Sequence, residues 1–275
     1  MGAPPTYPIV LAHGIARFDV LSNHLFKIDN SSRDDGLHYF RNIRTHLESH
    51  GFVVRHSGVE WAAGVVVRSC TLRRNIENVL VELGSRKVHV IAHSMGGLDA
   101  RQMLFDGREA GFHERVASLT TLATPHHGSP AADAFLPLAP QGGVLGIDVS
   151  GLCDLTTTTC RAFNAEKRDW ERTCGVLFQA YAGAQPFRGI FSPLKATWAI
   201  IHAKEGDNDG LVSVRSAMWN DEYFVPPVIN ADHLNIVGWW NPSDVWRGEA
   251  PLKLEARVKS LYLAIAQRLA QRFPT

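Results

Sequence analysis

The stretch VHVIAHSMGGLDAR, residues 88–101, carries an apolar run into a serine set among small residues. Ala92 and Gly96 bracket Ser94, with His93 and Met95 between them. A strand ending near Ala92 and a helix starting near Met95 make a tight turn at the serine. Small residues on either side let the two arms approach, and the hydroxyl stands at the carboxyl edge of the sheet. This is the G-x-S-x-G pattern with alanine in the first glycine position, which keeps the close approach but gives less freedom in φ. The helix N-terminus beneath the serine places partial positive charge where an oxyanion would form. The chemistry such a serine serves is nucleophilic attack on a carbonyl.

A serine nucleophile needs a base, and the base needs an orienting acid. In this arrangement both follow the serine along the chain, acid before histidine. AKEGDNDGLV carries Glu205, Asp207 and Asp209, and NADHLN carries His233. Each follows a run that reads as a strand, which places both on the edge that holds Ser94. Asp209 is favoured as the acid, because Gly210 and the apolar Leu211-Val212 imply a fixed turn. Asp207 and Glu205 remain the alternatives. His126 and His127 precede every suitable acid. His93 neighbours the serine but points away from it on such a turn. His24, His38, His46, His50 and His113 read as solvated, and His56, His89 and His202 as locally hydrogen-bonded. An acyl-transfer site also needs two donors for the oxyanion. The amide of Met95 supplies one. VLAHGIARFD offers the other at Ile15, with Gly14 permitting the backbone angle that aims it inward.

Elements that position these residues alternate along the chain. PIVLA (8–12), FVVRH (52–56), KVHVIA (87–92), VASLTTLA (116–123) and TWAIIHA (197–203) read as strands. FVPPVIN (224–230) is a further candidate, weakened by its two prolines. Most are continuous apolar runs, as parallel strands covered on both faces require. Helical stripes appear at Leu37, Phe40, Ile43 and Leu47, at Leu72, Ile76, Val79, Leu80 and Leu83, and at Val258, Leu261, Tyr262, Ile265 and Leu269. Strands alternating with helices predict an α/β chain with a mostly parallel central sheet and helices on both faces. Residues 130–152 stand apart. They carry only Asp133 and Asp148 as charges and are broken by prolines and glycines, too apolar for an ordinary exposed loop.

The 275 residues fit one domain better than two. With 28 basic and 27 acidic residues the formal charge is +1, which gives no basis for a nucleic-acid partner or an anionic membrane surface. No apolar run reaches the length of a membrane span. The N-terminus lacks the basic region and apolar length of a signal peptide, so the compartment stays open between cytoplasm and export after leader removal. Cys70, Cys153, Cys160 and Cys174 form no CxxC pair, and free thiols are expected although Cys153 and Cys160 are close enough in sequence to close a short loop.

Taken together, YPIVLAHGIARFD, VHVIAHSMGGLDAR, LTTLATPHHGSPAADAF and NDGLVSV followed by ADHLN resemble the bacterial true lipases of the Pseudomonas–Burkholderia type and related fungal lipases. The blocks come in the family's order and span most of the chain. The resemblance implies an α/β-hydrolase fold over residues 1–275, with a lid insertion over roughly 130–190 that includes the apolar segment. It assigns the nucleophile to Ser94, the acid to Asp209, the base to His233, and the oxyanion amides to Ile15 and Met95. It implies hydrolysis of carboxylic esters, with acylglycerols or long-chain esters as substrates and a lipid interface as a transient partner. A soluble short-chain carboxylesterase or a polyester depolymerase is the alternative, and a non-catalytic binding protein is disfavoured because no part of the machinery is missing.

The sequence departs from the family at the elbow, which begins with Ala92, at the calcium positions and at the disulfide. Asn235 stands where Pseudomonas-like enzymes have a calcium-binding aspartate, and no acidic residue lies between Arg172 and Glu205, where a second ligand is expected. Calcium is therefore doubtful, and no cofactor is expected. Arg215 stands where the family's disulfide cysteine would be.

Overall fold

The computed structural model describes residues 6–15, 30, 34–61, 63–138, 150–240 and 251–275. Strands β1 (Ile9–Ala12), β2 (Val54–Ser57), β3 (Val88–His93), β4 (Val116–Leu122) and β5 (Leu177–Tyr181) form one sheet. Its order is β2-β1-β3-β4-β5, with every neighbouring pair parallel. A small parallel pair, β6 (Gly183–Ala184) and β7 (Ile229–Asn230), continues beyond β5. The helices are α1 (Ile43–Ser49), α2 (Val65–Leu83), α3 (Gly96–Asp106), α4 (Pro130–Phe135), α5 (Ser150–Asp154) and α6 (Thr157–Glu171). They continue with α7 (Lys195–Glu205), α8 (Val214–Ala217) and α9 (Pro251–Arg272).

Period-two alternation divides the core into two layers. Ile9, Leu11 and Ile91 point to one face and pack with Ile43 and Leu47 of α1 and with Tyr262, Ile265 and Leu269 of α9. Val10, Val90 and Ala92 point to the other and pack with Leu72 and Ile76 of α2 and Met103 and Leu104 of α3. Neither helix pair can bury its apolar stripe without the sheet between them. The chain passes from β1 outward to β2, then returns across β1 to begin β3. The loops after β1 and β3 therefore diverge and leave a crevice at the carboxyl ends of those strands.

Two expectations about the strands need correction. TWAIIHA is not a strand; it lies inside α7. Trp198 stacks on His202 at 4.3 Å between ring centroids, a contact at i,i+4 that only a helix makes. Among residues 195–205 only Ile201 is buried, so the segment has no second face to offer a sheet. The fifth strand is instead β5, an apolar run that follows Gly175. FVPPVIN reduces to the two residues of β7, since Pro226 and Pro227 have no N–H to give a ladder. Strand β5, a member of the central sheet, falls within the 130–190 range expected for the insertion. Residues 139–149 of the apolar segment, and His24, lie outside the described residues.

The cysteines are free. Cys160 is buried beside Met95 and Leu98, and burial pushes its thiol up to about 12. His38, expected in solvent, is buried and meets the His56 ring edge-on at 4.6 Å.

Several buried histidines are held neutral. Burial brings His13 and His56 down to about 3 and His89 to about 4, and holds His93 and His126 well below the ordinary imidazole value. Their folded values are depressed, so the stability they contribute is complete above pH 6.5 and is lost as pH falls toward 3–4. Each proton that only the unfolded chain binds costs about 1.4 kcal/mol per pH unit over that window. Urea midpoints are expected to fall steeply between pH 6.5 and 4.5. His89→Gln, which can keep bonds to Thr6 and Ser118, is expected to make the fall shallower by about one proton. A midpoint independent of pH in this range would contradict the account.

Candidate active site

Ser94 follows directly on β3 and precedes α3, and its φ is 55°, in the left-handed region that L-residues avoid. Its amide donates to Leu122 O at 3.0 Å, tying the turn to the end of β4. Gly96 faces the end of β1 so closely that a Cβ there would lie 2.7 Å from both Ala12 O and His13 O. Gly14 faces the turn from the other side, and a Cβ on it would lie 2.6 Å from Ser94 Cβ. Close approach to the serine, not an unusual backbone angle, is thus what position 14 requires. Ala92 is accommodated in the strand, opposite Ala12 and Thr121.

The three residues separated by 139 positions of chain meet at this turn. His233 Nε2 lies 2.9 Å from Ser94 Oγ. His233 Nδ1 lies 2.7 Å from Asp209 Oδ2. Asp209 Oδ1 accepts from the amides of Leu211 at 2.9 Å and Val212 at 2.7 Å. A carboxylate oxygen can only accept from the imidazole, so Nδ1 carries the proton and Nε2 is left to accept from the serine. The His233 amide also donates to Asp209 O at 2.9 Å, fixing the two loops to each other. All three side chains are buried. The alternatives fall elsewhere. Asp207 is exposed, and Glu205 accepts from Ser213 Oγ at 2.5 Å. Asp209 emerges from the loop after α7, not from a strand end. Its place is set by Asn208, whose Oδ1 accepts from Gly210 N, and by the Asp209 amide bonding Val212 O. His233 enters from β7 through Ala231 and Asp232.

The Ile15 side chain packs against the buried cluster that holds Met95. Met95 is fully buried at the N-cap of α3, next to the first-turn amides that have no partner within the helix. Ile15 lines the cavity beside Ser94. The loop that carries it is built on His13, whose Nδ1 donates to Gly14 O at 2.8 Å while Nε2 accepts from Val59 N at 3.1 Å. Acceptance at Nε2 requires the neutral ring, in agreement with its lowered basicity. Arg68 of α2 clamps this loop to α3. It donates to His13 O at 2.8 Å and pairs with the buried Asp99 of α3 at 2.8 Å.

Sequence reasoning did not single out Arg68, Asp99, Tyr39 or Trp239. Tyr39 and Trp239 line the cavity, and Trp239 Nε1 donates to Tyr39 O at 3.0 Å. Tyr39 also bonds His93 Nδ1 at 2.7 Å, and the His93 ring lies 4.5 Å from that of His233. His93 does avoid the Ser94 hydroxyl, but it backs the imidazole that meets it. The cavity over Ser94 has a volume of about 250 Å³ and is almost wholly apolar. Ala131, Ala132 and Phe135 of α4, with Leu152 and Leu155, wall it on one side. Leu194, Val212, Leu234 and Val237 close the other side.

A metagenomic carboxyl esterase of known structure superposes on this chain with a TM-score of 0.74 at 18% identity, over 99% of this chain and 78% of that one. The chain has the α/β-hydrolase fold. The model of the PGAP1-like alpha/beta domain matches residues 72–137 of this chain, a stretch that contains the serine turn. Triacylglycerol lipase 2 of Saccharomyces cerevisiae is 26% identical over 281 residues, covering 88% of this chain and 84% of the yeast protein. The triacylglycerol lipase of Pseudarthrobacter phenanthrenivorans is 35% identical over 134 residues, 48% of this chain. That match spans only 37% of the bacterial protein's length. The resemblance to lipase-type α/β-hydrolases read from the sequence is borne out by these relatives.

The residues at the family's calcium position do not fit a cation. Asn235 is buried, with Nδ2 donating to Trp239 O at 3.0 Å and Oδ1 taken by Gln185 Nε2 and the Asp232 amide. Asp232 Oδ1 and Oδ2 accept backbone amides of Leu234, Asn235 and Phe191. Among the described residues there is no group of three or more His, Cys, Asp or Glu side chains able to hold a metal. No described helix is long and apolar enough to cross a membrane.

The strain at Ser94 can be measured. At an ordinary site Gly is less stable than Ala by about 0.4–1 kcal/mol through the unfolded chain. A left-handed L-residue costs about 1–2 kcal/mol, which glycine relieves. Ser94→Gly is therefore expected to be at least as stable in urea as Ser94→Ala. A glycine variant clearly less stable than the alanine variant would show that the turn is unstrained.

Proposed function

We propose that this α/β-hydrolase cleaves carboxylic esters through an acyl-enzyme and acts as a lipase on acylglycerols or other long-chain esters. The observation that carries this reading is the buried relay from Asp209 through His233 to Ser94, opening into an apolar cavity. Ser94 Oγ attacks the ester carbonyl while His233 Nε2 takes its proton. Asp209, held by two amides, keeps the imidazole oriented and offsets the charge that develops on it. The amides of Ile15 and Met95 receive the tetrahedral oxyanion. His233 then protonates the leaving alcohol, and the acyl group stays on Ser94. Water enters, loses its proton to His233, and attacks the acyl carbonyl. Collapse of the second tetrahedral intermediate releases the acid and restores the serine.

The apolar cavity supports an acyl chain as the group bound beside Ser94. The segment between β4 and β5 that supplies Ala131, Ala132, Phe135, Leu152 and Leu155 serves as a lid over it. Contact with a lipid surface would expose this wall to an apolar phase and open the cavity to substrate.

Initial rates on p-nitrophenyl esters from acetyl to palmitoyl test the reading. The rate is expected to hold or rise with chain length. Ser94→Ala is expected to abolish turnover down to a residual roughly 10³–10⁴-fold above water, and Asp209→Asn to lower it by about 10⁴-fold. A fluorophosphonate should label Ser94 in the wild type alone. Rates confined to the shortest esters would mark a short-chain carboxylesterase with a fixed wall. Retained activity in Ser94→Ala would sink the assignment.

A further inference from the structure

A second cavity lies on the far side of α4 from Ser94. It has a volume of about 790 Å³ and is walled by α6, by the end of α7 and by α8. The helices place charge in it unevenly. Arg161, Arg168 and Arg172 come from α6 and the residue after it, Lys204 from α7 and Arg215 from α8. Arg161 and Arg168 are seven positions apart, two helical turns, so they rise from one stripe of α6. All five side chains are exposed, and among the described residues none has an ion-pair partner.

The carboxylates that line the same cavity are already engaged. Asp133 accepts from Thr157 N at 2.9 Å and Thr157 Oγ1 at 2.8 Å, holding α4 to α6. Glu171 grips the buried Arg101 with both oxygens, at 2.7 and 3.0 Å. Glu205 holds Ser213 Oγ. Arg215 also borders a shallower recess that contains Asp207 and Asp221. Asp133 and Glu205, bonded to neutral donors, keep their charge, yet six cations with Arg101 included face three carboxylates, so the lining holds a surplus of positive charge in a chain whose total is only +1.

Like charges gathered in a concave site repel one another and focus a positive potential on whatever enters. Four of the five are arginines, whose planar forks match phosphate oxygens two at a time. The volume falls in the range of small-molecule sites. We propose that this cavity is a binding site for a phosphate-bearing anion, distinct from the pocket over Ser94. The proposal stands apart from the ester reaction and requires nothing of Ser94, His233 or Asp209. The two cavities nevertheless share walls. Pro130 and Asp133 of α4 face the cationic side, while Ala131, Ala132 and Phe135 face the apolar one. A phosphate drawn into the cationic cavity bears directly on the helix that closes the other.

The phosphate could be carried by a lipid headgroup or by a soluble compound, and the test separates them. Calorimetry with inorganic pyrophosphate and glycerol 3-phosphate reads the soluble form. Co-sedimentation with phosphatidylcholine vesicles, with and without phosphatidic acid, reads the lipid form. The triple variant Arg161→Ala/Arg168→Ala/Arg215→Ala removes charge from both walls. Arg74→Ala/Arg86→Ala/Arg115→Ala removes the same charge from exposed positions elsewhere. Binding to at least one probe is expected, weakened by roughly tenfold or more in the first variant and little changed in the second. Circular dichroism checks that both remain folded; if the triple variant does not, Arg168→Gln alone is expected to weaken binding several-fold. Binding by a soluble phosphate names a free ligand, and binding only to vesicles that contain phosphatidic acid names a headgroup. No binding to any probe, or equal loss in both triple variants, overturns the proposal.

Discussion

The left-handed backbone at Ser94 is the constraint on which the site is built. An L-residue adopts φ 55° only where the surroundings leave it no other path. Here those surroundings can be named. The serine amide is bonded to the end of β4, Gly96 lies against the end of β1, and Gly14 lies against the serine itself. Three adjacent parallel strands therefore converge on one residue. The strand order supplies the space, because the chain reverses direction across the sheet between β1 and β3. The hydroxyl stands in that crevice, and His233 can reach it only from a loop beyond β5.

Charge buried beneath this turn keeps it in place. Arg68 and Asp99 are removed from water, an arrangement that is weak evidence for net stability but costly to break from one side. Their value here is positional. Arg68 comes from α2, Asp99 from α3 and the accepting carbonyl of His13 from the loop after β1, so one guanidinium joins the elements that carry Met95 and Ile15. His13, held neutral by burial, completes the same loop without adding a charge near the developing oxyanion. His93 does likewise behind His233. A dry site lined by neutral rings leaves the Asp209 carboxylate as the charge that the imidazole feels most directly.

The local turn was readable because small residues at a strand-to-helix junction have few other uses. His233 was readable through chain order, and Asp209 through Gly210 and the apolar pair after it. The surrounding element was misread. TWAIIHA is short, apolar and partly β-branched, and periodicity cannot separate such a run from a helix. The deciding signals flank it, with Pro193 just before the helix and Gly206 just after it. β5 was overlooked because LFQAY interrupts its apolar run with a glutamine, which in the sheet finds Thr120 Oγ1 and stays buried. The Arg68–Asp99 clamp leaves no local pattern, since its partners are 31 residues apart and each looks like an ordinary helical charge. The same is true of Tyr39 and Trp239, brought together only when the segment before α1 and the loop after His233 pack on one face of the sheet.

The near-neutral total of the chain concealed a further feature. Composition averages over the surface, whereas binding responds to charge within a Debye length. The arginines of α6 appear in sequence as an ordinary amphipathic helix, interleaved with Glu166 and Asp169. The fold breaks that balance. Glu166 is drawn to Lys167, and Glu171 turns inward to Arg101. Arg101 in turn stacks against Trp219 and bonds Asn164, so a buried pair consumes the acid that would have neutralised the surface. Folding thus separates the charges of one helix into a paired interior and an unpaired rim. Helix α4 lies between that rim and the apolar cavity, with its small residues toward Ser94 and its aspartate toward α6. A segment between β4 and β5 that walls a pocket with one face presents a second face on its other side. The side chains placed on this second face decide what the insertion meets.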